Sequence, residues 1–194
     1  MLDGILQKSK KYILILAGFL LVAIALNYAV LELFNQKSLY RAAHGLVGIV
    51  MLMGFVYTFL SKNTSRSMVL TLFFVSLIPC YLGTVFSDLD IRFFGIGSHR
   101  SPVFHSGIVF FILLIPARRI KSFWLAAILS AFGVGLGSHL VWDLFDRADV
   151  RWIPGGTLDS FWLGTNGLLC FLLARFFLIS RFESTVHATA YLRR

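Results

Sequence analysis

The chain has 194 residues, of which 58% are hydrophobic and 14% charged, and its formal net charge is +9. Soluble domains are usually about 45–50% apolar and about 25% charged, so this composition excludes an ordinary water-soluble globule. It also excludes a disordered chain, which needs low hydrophobicity.

The apolar residues are pooled into long runs. A transmembrane helix needs about 20 mostly apolar residues, and six runs approach that length: 12–34, 43–60, 68–86, 102–117, 123–144 and 161–180. The first follows Lys8, Lys10 and Lys11. It is too long for a signal-peptide core of about 7–15 residues, so it reads as a retained anchor. The run 102–117 is short and predicts a helix that begins below the surface or is covered by its neighbours. The expected architecture is all-α: a polytopic membrane bundle of about six transmembrane helices. Its expected segments are a basic N-terminal stretch with the anchor (1–42), a helical bundle (43–180) and a C-terminal tail (181–194).

In a soluble chain, a sequence pI near 10.0 would point to nucleic acid. Here the distribution points elsewhere. Alternating six spans places twelve of the 18 Lys and Arg on the N-terminal side and six on the other. Cytoplasmic loops are the Lys/Arg-rich ones, so both termini are expected in the cytoplasm. The charge then reads as a topology signal, with membrane lipids as the environment and no nucleic-acid partner. Cys80 and Cys170 lie inside apolar runs with no Cys-x-x-Cys spacing, and read as small buried thiols.

The same alternation gathers four of the five histidines on the side opposite the termini: His44, His99, His105 and His139. His187 falls in the tail. Asp88 and Asp90 leave the third run on that side, and Asp143 closes the fifth. Each piece has a plain structural reading. Asp88 and Asp90 suit a turn. Ser101-Pro102 suits an N-cap followed by a helix start, which would put His105 in the first turns. His139 and Asp143, at i and i+4 on one helix face, suit either a hydrogen-bonded pair or two ligands of a divalent ion. Together they argue for metal. Ionisable groups at membrane depth cost about 2.5–3.5 kcal/mol each on insertion scales, and a bound cation offsets that for carboxylates and neutral imidazoles alike. Histidine and aspartate without cysteine favour zinc, with manganese or iron as alternatives. Seven candidate ligands exceed what one zinc takes, so two or more ions are expected. Such a site suits phosphoester hydrolysis. Arg100 could then hold a phosphate oxygen, or could simply snorkel at the interface.

Three motifs carry a resemblance: Thr84-Val85-Phe86-Ser87-Asp88-Leu89-Asp90, then His99-Arg100 with His105-Ser106, then Gly137-Ser138-His139-Leu140 with Asp143. In order and content they resemble the YdjM-like family of bacterial membrane-bound metal-dependent hydrolases, distantly similar to zinc-dependent phospholipases C. The resemblance covers residues 43–166. It implies that His44, Asp88, Asp90, His99, His105, His139 and Asp143 are the metal ligands or their immediate partners. The chain departs from the family pattern at Ser87, where proline is usual, and at Ile91, where histidine is usual. Its His-Arg block is also one residue longer. Asp146, three residues after Asp143, could replace a missing ligand.

The resulting expectation is a metal-dependent hydrolase of the bacterial inner membrane. It would cleave a lipid phosphoester at the outer-leaflet interface, with its site facing the periplasm or exterior. The alternatives are a divalent-cation or proton transporter, since intramembrane His and Asp can form relays, and a non-catalytic protein with a structural metal. Against transport, the ionisable groups collect at one end, with Asn166 as the main polar residue near it inside a later span. Trp142, Trp152 and Trp162 read as interfacial anchors, and residues 153–157 as a turn closing over the site.

Overall fold

The computed structural model describes the backbone of residues 2–34, 40–59, 64–151, 153 and 156–191. Side chains are described within 7–29, 44–59, 64–151, 153 and 156–183, apart from 8, 9, 27, 28 and 98. Every regular element among them is helical: α1 (Leu2–Phe34), α2 (Tyr40–Tyr57), α3 (Arg66–Phe86), α4 (Leu89–Phe94), α5 (Ile108–Ala117), α6 (Phe123–Phe145) and α7 (Thr157–Tyr191). A 3-10 turn, Ile96–Ser98, follows α4. Among the described residues, three helices are long and apolar enough to cross a bilayer: Arg66–Phe86, Phe123–Phe145 and the Thr157–Glu183 part of α7. Two more apolar stretches, His44–Tyr57 and Ile108–Ala117, are shorter. The chain is an all-α membrane protein.

Its outer surface fits that solvent. Leu70, Phe74, Ile78 and Tyr81 of α3 are 58–72% exposed, and their i, i+4, i+8, i+11 spacing makes one apolar stripe. In water such a stripe would be an association or aggregation surface. Against lipid it is the expected face.

Helix α6 is the centre of the bundle, packed along α3 and α7 and also meeting α2 and α5. All residues from Gly133 to Leu140 are buried. Within lipid there is little hydrophobic drive between helices, so close packing of small residues takes its place. Three glycines of α6 serve three neighbours. A Cβ on Gly133 would strike the Phe110 ring of α5, one on Gly135 the Cys80 carbonyl of α3, and one on Gly137 would sit 3.0 Å from the Gly167 carbonyl of α7. The reverse contact is equally tight, since a Cβ on Gly83 of α3 would strike the Phe132 carbonyl.

Helices α3 and α6 both begin with serine caps, Ser65 accepting from the Met68 N–H at 3.2 Å and Ser122 from the Leu125 N–H at 3.4 Å. Both carry their polar residues near their C-termini, and these ends lie together, since His139 of α6 bonds the Thr84 carbonyl of α3. Helix α1 is tied to the far half. The Tyr12 hydroxyl donates to the Phe171 carbonyl at 3.1 Å, and the Arg175 guanidinium lies 4.3 Å from the Tyr12 ring centroid. Arg175 is thus held by α1 and by Thr58 of the segment after α2.

Two expectations are corrected. The helix expected from Ser101-Pro102 starts only at Ile108. A helix running from Pro102 would pair the Gly107 N–H with Val103 and keep the His105 carbonyl for itself. Instead Asn166 of α7 accepts from the Gly107 N–H at 3.0 Å, Trp162 donates to the His105 carbonyl at 2.8 Å, and the Ser106 hydroxyl takes the Val103 carbonyl. The remaining α5 has 10 residues, about 15 Å of helix, too short to span about 30 Å of hydrocarbon. Second, Trp142 is buried at 7% exposure, packed inside the bundle and not an interfacial anchor. Of the Asp88 and Asp90 pair, Asp88 stands in a turn and Asp90 in the short helix that follows, ended by Gly95 at φ 79°. Helix α7 continues without a break to Tyr191. Trp152 and the Pro154-Gly155 turn lie outside the described residues.

Candidate metal centre

The site is assembled where α2 begins and where α3 and α6 end. His44 enters from the first turns of α2, Asp88 and Asp90 from the junction of α3 and α4, and His139 and Asp143 from the last turns of α6. His99 and His105 come from the irregular segment between α4 and α5. Two helix C-termini converge here, and their partial negative charge favours a cation.

His139 shows how the local geometry is set. Its Nδ1 donates to the Thr84 carbonyl at 2.7 Å, one of the last-turn carbonyls of α3 that lack an intrahelical partner. The tight α3–α6 crossing at Gly83 and Gly135 brings these two groups together. Because a carbonyl only accepts, Nδ1 carries a proton, and Nε2 is left as the atom that can meet a carboxylate or a metal. It lies 3.4 Å from Asp143 Oδ2. His44 stacks on His139 with ring centroids 4.3 Å apart and an angle of 14°.

Asp90 organises the other half. It is fully buried. One oxygen pairs with His99 Nδ1 at 3.2 Å, and the other accepts from the Ser101 N–H at 3.1 Å and lies 3.5 Å from His105 Nδ1. His105 Nε2 then lies 3.4 Å from Asp143 Oδ2, so this imidazole sits between two carboxylates. Whichever nitrogen carries the proton of the neutral ring, the other turns a lone pair towards an acceptor.

Two groups of residues could hold a metal ion: His44, His139 and Asp143, and Asp88, His99 and His105. Within each, the donor atoms lie within 4.8 Å of one another. The His105–Asp143 approach joins the two groups. His44 Nδ1, both nitrogens of His105 and Asp143 Oδ2 are buried with no hydrogen-bond partner, at a usual cost of about 1–3 kcal/mol for each such group. Cations held by the two groups would satisfy His44 Nδ1, Asp143 Oδ2 and one nitrogen of His105, whose other nitrogen faces a carboxylate.

All seven residues expected as ligands are therefore in one place. Asp90 differs from the other six, because both its oxygens are already engaged behind the imidazoles. A cavity of about 230 Å³ opens on the site, lined by His44, Asp88, Ile91, His99, Arg100, Asp143 and Asp146. Arg100 holds a left-handed backbone, φ 65°, which for a non-glycine residue is uncommon and is often found at functional positions. Its carbonyl accepts from the Arg151 N–H at 2.9 Å. Asp146 is exposed at the rim. The side chain of His187 lies outside the described residues.

Sequence reasoning missed two positioning residues, Trp162 and Asn166, which fix the His105 segment from α7. Their signal was a Trp-x-x-x-Asn pair on one face of a helix start near the histidines. Comparison of the chain with known families, curated proteins and solved structures finds no match.

Proposed function

We propose that this chain is a membrane-embedded, metal-dependent hydrolase that cleaves a lipid phosphoester. Its site would be open to the outer face of a bacterial inner membrane. The observation that carries the reading is the convergence of two imidazole nitrogens, His105 Nε2 and His139 Nε2, on Asp143 Oδ2, each at 3.4 Å, in a buried cluster where His44, His105 and Asp143 keep polar atoms without hydrogen-bond partners. His44, His139 and Asp143 would hold one ion, and Asp88, His99 and His105 a second. The donor set favours zinc over manganese or iron. When bound, such ions polarise a phosphoryl oxygen and make water nucleophilic near neutral pH.

The protein's own groups supply the rest. Asp90 would orient His99 through its Nδ1 and faces His105 Nδ1 at 3.5 Å. Arg100, at the cavity wall, would take a phosphate oxygen with its fork of N–H donors. Asp146, exposed beside Asp143, is placed to accept a proton from the attacking water. The outward orientation rests on the twelve-to-six split of Lys and Arg between the two sides, and the resemblance to YdjM-like hydrolases supports the reaction class.

The test is phosphate or headgroup release from phospholipid vesicles by zinc- and manganese-loaded protein. Arg100→Ala should lower kcat/KM by about 10–100-fold, the weight of a charge-assisted hydrogen bond, at unchanged metal content. No turnover of any phosphoester by a metal-loaded, folded preparation would refute the hydrolase and leave a structural metal.

A further inference from the structure

A second cavity, of about 290 Å³, lies beside the first and is lined by His44, Tyr81, Thr84, Val85, Asp88, Leu89, Ile91 and Arg92. The two share His44, Asp88 and Ile91, so they meet at the metal-binding groups. Their walls differ. Beyond the shared residues, the first offers His99, Arg100, Asp143 and Asp146, all polar or charged. The second offers Tyr81, Val85 and Leu89, with Thr84, whose hydroxyl is turned to the Tyr81 carbonyl, and Tyr81 lies on the exposed apolar stripe of α3, 58% exposed. This cavity therefore begins at the bilayer-facing surface. Arg92, exposed on α4, is the cationic residue of this wall among the described residues.

We infer that the groove between α3 and α4 is a lateral entrance for a membrane amphiphile with an anionic headgroup. Its chain lies along Tyr81, Val85 and Leu89, its approach is selected by Arg92, and its head passes the His44–Asp88 junction towards Arg100. A water-soluble phosphoester would need only the polar cavity. A lipid uses both, and the graded walls match its two ends. The negative charge of Asp88 at the junction is committed to the metal-binding group. This inference rests on the hydrolase reading only for the fate of the lipid, because occupation of the groove can be measured without turnover.

The experiment is photo-crosslinking of the full chain, carrying benzoylphenylalanine in place of Val85 or of Leu89, in phosphatidylcholine vesicles doped with labelled phosphatidylglycerol. Phe74, on the same α3 stripe but outside the groove, is the control position. The groove positions should capture the anionic lipid about fivefold over the neutral one, the weight of one arginine near the surface. Phe74 should show no preference, and Arg92→Gln should abolish the preference at the groove while zinc content stays unchanged. Equal capture at all positions, or a preference that survives Arg92→Gln, would overturn the entrance. Selective capture without hydrolysis of any lipid would keep the entrance and refute the hydrolase. Hydrolysis of a soluble phosphoester without selective capture would do the reverse.

Discussion

Asp90 holds two imidazoles and a backbone N–H with a single buried carboxylate, so its shape and charge matter more than its own reach to a metal. Replacing it by asparagine keeps the volume but turns an amide N–H towards a group that already donates. Asp90→Asn should weaken zinc affinity by about 10–100-fold, the usual effect of losing a carboxylate behind a metal-bound histidine. Competition against a chromophoric chelator measures this, and unchanged affinity would show that the imidazoles do not depend on Asp90. At this scale the residues of the site were legible from sequence, because ionisable side chains are rare and costly in apolar runs. Their division of labour was not. Nothing in an Asp-x-Asp spacing says which carboxylate turns inward, and here the short helix α4 decides it by burying Asp90 and leaving Asp88 half-exposed.

At the scale of elements, the site depends on how closely α3 can lie on α6. Gly135→Ala would place a methyl group against the Cys80 carbonyl. Overpacking of that kind usually costs about 1–3 kcal/mol, and Tm moves by about 2–4 °C per kcal/mol in chains of this size. The detergent-solubilised variant should therefore melt several degrees lower. Separating the helices also strains the Thr84–His139 hydrogen bond, so metal affinity should fall with it. Gly18→Ala, which meets nothing within 4 Å, should leave both unchanged. Equal Tm for Gly135→Ala and the parent would contradict the tight crossing. The long helices were readable because bilayer-length apolar runs have few other uses. The start of α5 was not, since its deciding partners, Trp162 and Asn166, lie 57 and 59 residues further along the chain. No local signal reports such long-range competition for backbone groups.

Across the whole molecule, residues from four separate stretches meet at one end of the bundle, and alternation of the spans was enough to place them there. The direction of that end is a separate claim, carried by the charge split. A cysteine introduced at Ile153 should react from outside with an impermeant thiol reagent. Cys80 and Cys170 are both buried and should give little background. Labelling only after the membrane is broken would reverse the orientation. The centre of the account, however, is that buried lone pairs and carboxylates are held together by bound cations, and metal content tests this most directly. Detergent-purified protein should carry about two divalent transition-metal ions per chain, one for each residue group, and His139→Ala should lose at least one while still inserting into the membrane. A folded preparation that holds no metal, even after zinc and manganese are added, would contradict the account.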